Sequence, residues 1–126
     1  AIASLKLFES SNLLEHIKAS TRIIRSKLEA LRDPEPCPHV LDIRQQGMMV
    51  GIELCPDRQT SRSFDPANPP GQVGPELCQI MRQRGLIIRP LGDVLVLMPI
   101  LAMEHATLEN MLNIVVETIL EWPVGV

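Results

Sequence analysis

Apolar residues recur at helical spacing along the first quarter of the chain. Ile2, Leu5 and Phe8 begin one stripe, and Glu9-Ser10-Ser11-Asn12 interrupts it with residues that favour caps over helix interiors. A second stripe, Leu13, Ile17, Ile24, Leu28 and Leu31, has steps of 4, 7, 4 and 3 residues, which a 3.6-residue period places on one face. Arg22, Arg25, Lys27 and Glu29 fall largely outside that face. Residues 1–32 therefore predict helix in two pieces, the second amphipathic and packed on a sheet. Three prolines within Asp33–His39 stop the helix and stiffen a linker.

The period then changes to two. Val40–Gln46 and Met48–Leu54 read as strands hinged at Gly47, with Met48, Val50, Ile52 and Leu54 on one face and Met49, Gly51 and Glu53 on the other. Residues 55–70 are a polar, proline-dotted loop, too long for a plain hairpin. A helix follows, with Pro75 in its first turn, Val73, Leu77, Ile80 and Met81 facing inward, and Gly85 as its stop after Arg84. Leu86–Arg89 and Val94–Met98 form a second strand pair. Their connection, Arg89-Pro90-Leu91-Gly92, fits a type I turn with Pro at its second position and Gly at its fourth. Pro99 ends the strand. The last helix, 103–121, turns Leu108, Met111, Leu112, Val115, Ile119 and Trp122 inward, with Glu104 suited to the positive end of its dipole. The order ααββαββα defines an α/β fold: a two-layer sandwich with a roughly four-stranded, mixed or antiparallel sheet covered by helices.

Composition narrows the functional classes. The chain has 126 residues, a net charge of −3 and 45% hydrophobic residues, enough for one core of ordinary size and too apolar for disorder. An acidic balance argues against non-specific nucleic-acid binding. No apolar run approaches the ~18 residues of a membrane span, and no signal peptide is visible, so the expectation is a cytoplasmic protein. Cys37, Cys55 and Cys78 form no CxxC pair. Cys37-Pro38-His39 reads as a loop rather than a metal site, since no second ligand pair lies nearby. The start at Ala1-Ile2-Ala3, inside a helical pattern, suggests a piece of a larger protein.

No catalytic constellation stands out. His16, His39 and His105 have no suggestive neighbours in sequence, and the seven glycines never reach GxGxxG or GxxxxGK spacing. Arg89 is different, because it closes an apolar strand and precedes a rigid turn. A guanidinium held there suits bidentate recognition of a carboxylate. The competing reading, which spacing alone favours, is a strand-end arginine paired with a surface acid such as Asp93. Gly51, a strand position without a side chain, has two readings as well. Packing is the stronger, and close approach of a ligand is the other.

Three stretches carry a family resemblance. Ala1–Phe8 resembles the helix after a glycine-threonine phosphate-binding turn. Arg44-Gln-Gln-Gly-Met-Met-Val-Gly-Ile-Glu-Leu54 resembles an R-x-x-G-x-x-x-G-I-E-L hairpin. Gly85–Pro99 resembles G-x-x-x-R-P-x-G-x-x-x-x-L-M-P-P, with Ile100 in place of the final proline. On these motifs the chain resembles the C-terminal small domain (residues 1–126) of class III, fold type I, PLP-dependent aminotransferases, and most nearly their biotin-pathway branch.

The resemblance implies an enzyme that passes an amino group from S-adenosylmethionine to 8-amino-7-oxononanoate, with pyridoxal 5'-phosphate held mainly by a large domain not contained here. It implies a homodimer, small-molecule amino and keto acid substrates, no metal, no catalytic residue in this segment and no activity from this segment alone. Arg89 becomes the residue that binds the substrate carboxylate, with Pro90, Leu91 and Gly92 holding it. The opening stripe would then partly face that large domain. The alternatives are another class III enzyme, of ω-amino acid or acetylornithine type, or a non-catalytic α/β binding module.

Overall fold

A computed structural model describes residues 2–35, 37–55, 58 and 71–122. The elements are α1 (Ile2–Ser10), α2 (Leu13–Leu28) running into a 3-10 turn (Glu29–Leu31), β1 (Val40–Gln46), β2 (Met49–Leu54), α3 (Val73–Gln83), β3 (Pro90–Leu91), β4 (Val94–Leu97) and α4 (His105–Glu121). The order expected from the pattern is the order observed. Asn12 separates the two opening helices by taking a left-handed conformation, φ 51°, which asparagine tolerates better than most residues.

The sheet order is β1-β2-β4-β3, and all three pairings are antiparallel. Pairing puts Ile43, Ile52 and Leu95 on one face, with Val50 opposite Leu97. These residues join Ile24, Leu28, Leu31, Leu77, Met81, Leu108, Leu112, Val115 and Ile119 in a single core. Each such side chain, fully buried, contributes about 1.5–3 kcal/mol relative to exposure. The helices thus cover one face of the sheet and leave the other open. A register shift between Val40 and Asp42 inserts Leu41 as an extra residue. It explains why Val40 and Ile43, three apart, are both buried.

Both hairpins turn on two residues with glycine first. Gln46 pairs with Met49 around Gly47-Met48, and Leu91 pairs with Val94 around Gly92-Asp93. Gly47 and Gly92 each have φ +59°, while Met48 and Asp93 are not in the positive-φ region. That is type II′ chemistry, which matches strand twist. Two expectations are corrected here. The second turn is not Arg89–Gly92 in type I form but lies two residues later. The strand before it is Pro90–Leu91 rather than Leu86–Arg89. The Leu86 amide is already committed to Met81 O at 2.9 Å, and the Gly85 amide to Arg82 O at 3.1 Å, which together close α3 in a Schellman motif with Gly85 at φ +91°. Pro90 brings no N–H to the ladder, so pairing does not propagate upstream through it. Smaller differences are that Met48 is a buried turn residue and that Met98 lies beyond β4, 66% exposed. The loop expected over 55–70 lies, apart from Cys55 and Arg58, outside the described residues.

Among the described glycines, the closest approach joins α3 to the β3–β4 hairpin. A Cβ on Gly74 would lie 2.3 Å from Gly92 O, 3.0 Å from Pro90 Cβ and 3.2 Å from Asp93 Cα. Two backbones meet there with no room for a methyl group. At Gly51 a Cβ would meet only Val94 Cγ1, at an ordinary 3.6 Å. Gly74→Ala is therefore expected to cost about 1–3 kcal/mol through overpacking, whereas Gly51→Ala, at a φ any residue adopts, should be neutral or slightly stabilising. Thermal melts of the two variants check the contrast, and equal melting temperatures would refute it.

Candidate functional site on the open sheet face

The open face is built by the same pairings that build the core. Asp42, Glu53, Val94 and Leu91 form one cross-strand row, and Arg44, Gly51 and Val96 form the next. Arg44 is ion-paired on this face, 3.1 Å from Glu53 and 3.8 Å from Asp42. With both partners substantially exposed, such pairs contribute little, on the order of 0–1 kcal/mol. The neighbouring positions are apolar and half-buried or exposed: Val94, Val96, Leu91 and Met49. Nothing within the described chain packs Gly51 tightly enough to require glycine. The packing explanation, stronger in sequence, therefore lacks support here.

Arg89 leads into β3, the edge strand. Leu86, Ile88 and Pro90 are half-buried while Ile87, Arg89 and Leu91 are exposed. This alternation puts Arg89 on the side of Leu91, which belongs to the open face. Its guanidinium makes no ion pair with Asp93 or with any other described residue. The pairing that spacing favoured is thus overturned. The Asp93 carboxylate instead accepts the amides of Gly71 and Gly74, the latter at 3.0 Å, at the start of α3. α3 has no capping side chain of its own, since Gln72 makes no such bond, and its first amides need an acceptor. Asp93 also ties the hairpin to β2, through Leu54 N to Asp93 O at 2.8 Å.

Pro90 is half-buried against Gly74, Gly92 supplies the turn, and Leu91 is 71% exposed on the open face. The sequence offers Asp93 only as a surface partner for Arg89 and does not single out Gly74. The available signal was a glycine in the first turn of a helix, just before Pro75. Such a residue costs about 1 kcal/mol against alanine unless something packs on it.

The histidines form a grouping the sequence did not suggest. His16 and His105 stack with ring centroids 4.4 Å apart and planes 5° from parallel, and His16 Nε2 donates to Met103 O at 2.8 Å. This contact joins the start of α2 to the start of α4. His39 is buried edge-on against Trp122, 4.7 Å between centroids. Among the described residues no group of three or more His, Cys, Asp or Glu gathers as metal ligands would.

The chain's three lysines do not fit an imine-forming role. Lys18 is paired with Glu15 at 2.6 Å, Lys27 Nζ donates to Asn113 Oδ1 at 2.9 Å, and Lys6 is exposed on α1. None lies in the desolvated pocket that lowers an amine's pKa for such chemistry. The residues present therefore do not supply the covalent anchor of a pyridoxal phosphate site.

Fold and site together define an α/β unit with an open apolar sheet face and, at its edge, a guanidinium that has no ion pair among the described residues. Residues 1–119 match the aminotransferase class-III family, and the chain belongs to that family. It is 40% identical over 115 residues to the adenosylmethionine-8-amino-7-oxononanoate aminotransferase of Nitratidesulfovibrio vulgaris, covering 91% of this chain and 20% of that protein. It is 36% identical over 121 residues to the enzyme of the same name from Anoxybacillus flavithermus, covering 96% and 25%. The crystal structure of the Methanocaldococcus jannaschii enzyme of that name superposes with a TM-score of 0.79 at 30% identity, over 94% of this chain and 26% of that one. The chain thus spans about a fifth to a quarter of the length of these relatives.

No helix among the described residues is long and apolar enough to cross a membrane. Burial pushes the Cys37 and Cys78 thiols above their ordinary value, which lowers their thiolate fraction at neutral pH. Both should react with iodoacetamide at pH 7.5 much more slowly in the native chain than in denaturant. Peptide mapping after a timed pulse checks this, and native labelling at the denatured rate would refute it.

Proposed function

We propose that the chain is the C-terminal small domain of a longer PLP-dependent aminotransferase that passes an amino group from S-adenosylmethionine to 8-amino-7-oxononanoate in biotin synthesis. Family membership and the names borne by its relatives support the reaction. The observation that carries the role of this segment is Arg89, a guanidinium without a partner among the described residues, beside an open apolar sheet face. Five N–H donors in a fixed fork match a carboxylate in bidentate fashion. The apolar row Leu91, Val94 and Val96 offers surface for the aliphatic part of such a substrate.

When bound, PLP supplies the electron sink and carries the amino group between half-reactions. The lysine that anchors it belongs to the rest of the protein, because the three lysines here are unsuited. The part played by this segment is binding and orientation. Arg89 neutralises and aims the substrate carboxylate, and the open face excludes water from one side of the substrate. Fixing geometry in this way lowers the barrier without any group of this segment reacting. The exposed apolar residues Ile2, Leu5 and Leu7 on α1, which buries nothing within the chain, suit contact with the remainder of the enzyme. The intact protein is read as a cytoplasmic homodimer.

Two outcomes are expected. This 126-residue chain, incubated with PLP and then borohydride, should gain no stoichiometric pyridoxyl adduct by mass spectrometry; one lysine labelled to completion would overturn the assignment of the anchor. In the intact enzyme, Arg89→Ala should lower kcat/KM for the carboxylate substrate by about 2–5 kcal/mol, the range for removing one partner of a desolvated charge pair. The cofactor's absorbance should persist. Its loss would make Arg89 a structural residue instead.

A further inference from the structure

The geometry points to Asp93, seated against Gly74, as the positioning residue that aims Arg89; the inference rests on reading Arg89 as the carboxylate clamp. Edge strand β3 is two residues long, too short for its pairing with β4 to set the direction of the chain leading into it. The added constraint comes from Asp93. Its carboxylate accepts the Gly71 and Gly74 amides, and its carbonyl accepts the Leu54 amide at 2.8 Å. One residue thus fastens the hairpin to α3 and to β2 at once. The missing Cβ of Gly74 lets the first turn of α3 press on Gly92 O and on Pro90 Cβ. Pro90 directly follows Arg89 and has its own φ fixed by its ring. From α3 to the α-carbon of Arg89 the path is therefore one backbone contact and one rigid residue.

The same arrangement keeps Arg89 available. The acid nearest to it in sequence is turned to the Gly71 and Gly74 amides, and the guanidinium has no ion pair among the described residues. Asp93 touches no reacting atom on this account and acts only through Arg89.

The test uses the intact enzyme with variants Asp93→Ala, Asp93→Asn, Arg89→Ala and the double variant Arg89→Ala/Asp93→Ala. Steady-state kinetics are measured with the keto acid acceptor and with its methyl ester, which has no carboxylate to clamp. Asp93→Ala should lower kcat/KM for the acid by about ten- to a hundred-fold, as a small misplacement of a binding group does. The loss should fall mainly on KM, and the ester should stay within about two-fold of the parent enzyme. Asp93→Asn keeps one acceptor oxygen toward the amides and should recover part of the loss. The double variant should be no worse on the acid than Arg89→Ala alone.

An equal loss on acid and ester would make Asp93 a merely structural residue and overturn the inference. So would losses that multiply in the double variant. If Arg89→Ala does not itself separate acid from ester, the clamp reading fails, whatever Asp93 does. Should Asp93→Ala not fold, Asp93→Asn carries the same comparison, with a smaller loss confined to the acid.

Discussion

The contact between the first turn of α3 and the β3–β4 hairpin governs the geometry of the functional edge. Two backbones approach there because Gly74 has no side chain, and a carboxylate from the hairpin accepts the Gly74 amide in that turn and the Gly71 amide just before it. Each partner supplies what the other lacks. The helix has orphan donors and no cap of its own. The hairpin has an edge strand too short to hold itself. A negative group at the positive end of a helix dipole strengthens the arrangement further. The direction in which the chain enters β3, and with it the place of Arg89, is a consequence of this joint.

The second organising constraint is that the helical layer covers one face of the sheet only. Antiparallel sheets tolerate an open face when it is polar. Here that face carries Val94, Val96, Leu91 and Met49 beside a single ion-paired cluster of Arg44, Asp42 and Glu53. Apolar surface left open on a sheet, together with an opening helix that buries nothing, is a pattern expected of a unit that works against something else. The chain spans a fifth to a quarter of the length of its relatives, and on the proposed reading the rest of the enzyme and the substrate occupy this face.

Most of the architecture was readable from periodicity. The break at Asn12, the alternation of β2, the Schellman stop at Gly85 and the inward stripe of α4 each follow from local rules, and the structure agrees with them. The failures were local as well and share a cause. The turn after Arg89 was placed two residues early because Pro at the second position and Gly at the fourth satisfy type I chemistry on their own. What decided the outcome was register with β4, a long-range property. The stacked pair of His16 and His105 was invisible for the same reason, since 89 residues separate its members. Gly74 left a faint trace as a costly residue in a helix start, but only the partner backbone explains it.

Arg89 shows why the site was harder to read than the fold. Spacing favoured pairing with Asp93 over carboxylate recognition, because it carries no information on the partners that Asp93 itself engages. An exposed Arg–Asp pair contributes on the order of 0–1 kcal/mol, and less in salt. Hydrogen bonds from backbone amides to a carboxylate contribute about 1.5–3 kcal/mol each, because the acceptor is charged. Two such bonds hold the carboxylate at the start of α3, where it makes no ion pair with Arg89. A guanidinium with no ion pair among the described residues, at the edge of an apolar face, is on the proposed reading available to a ligand anion.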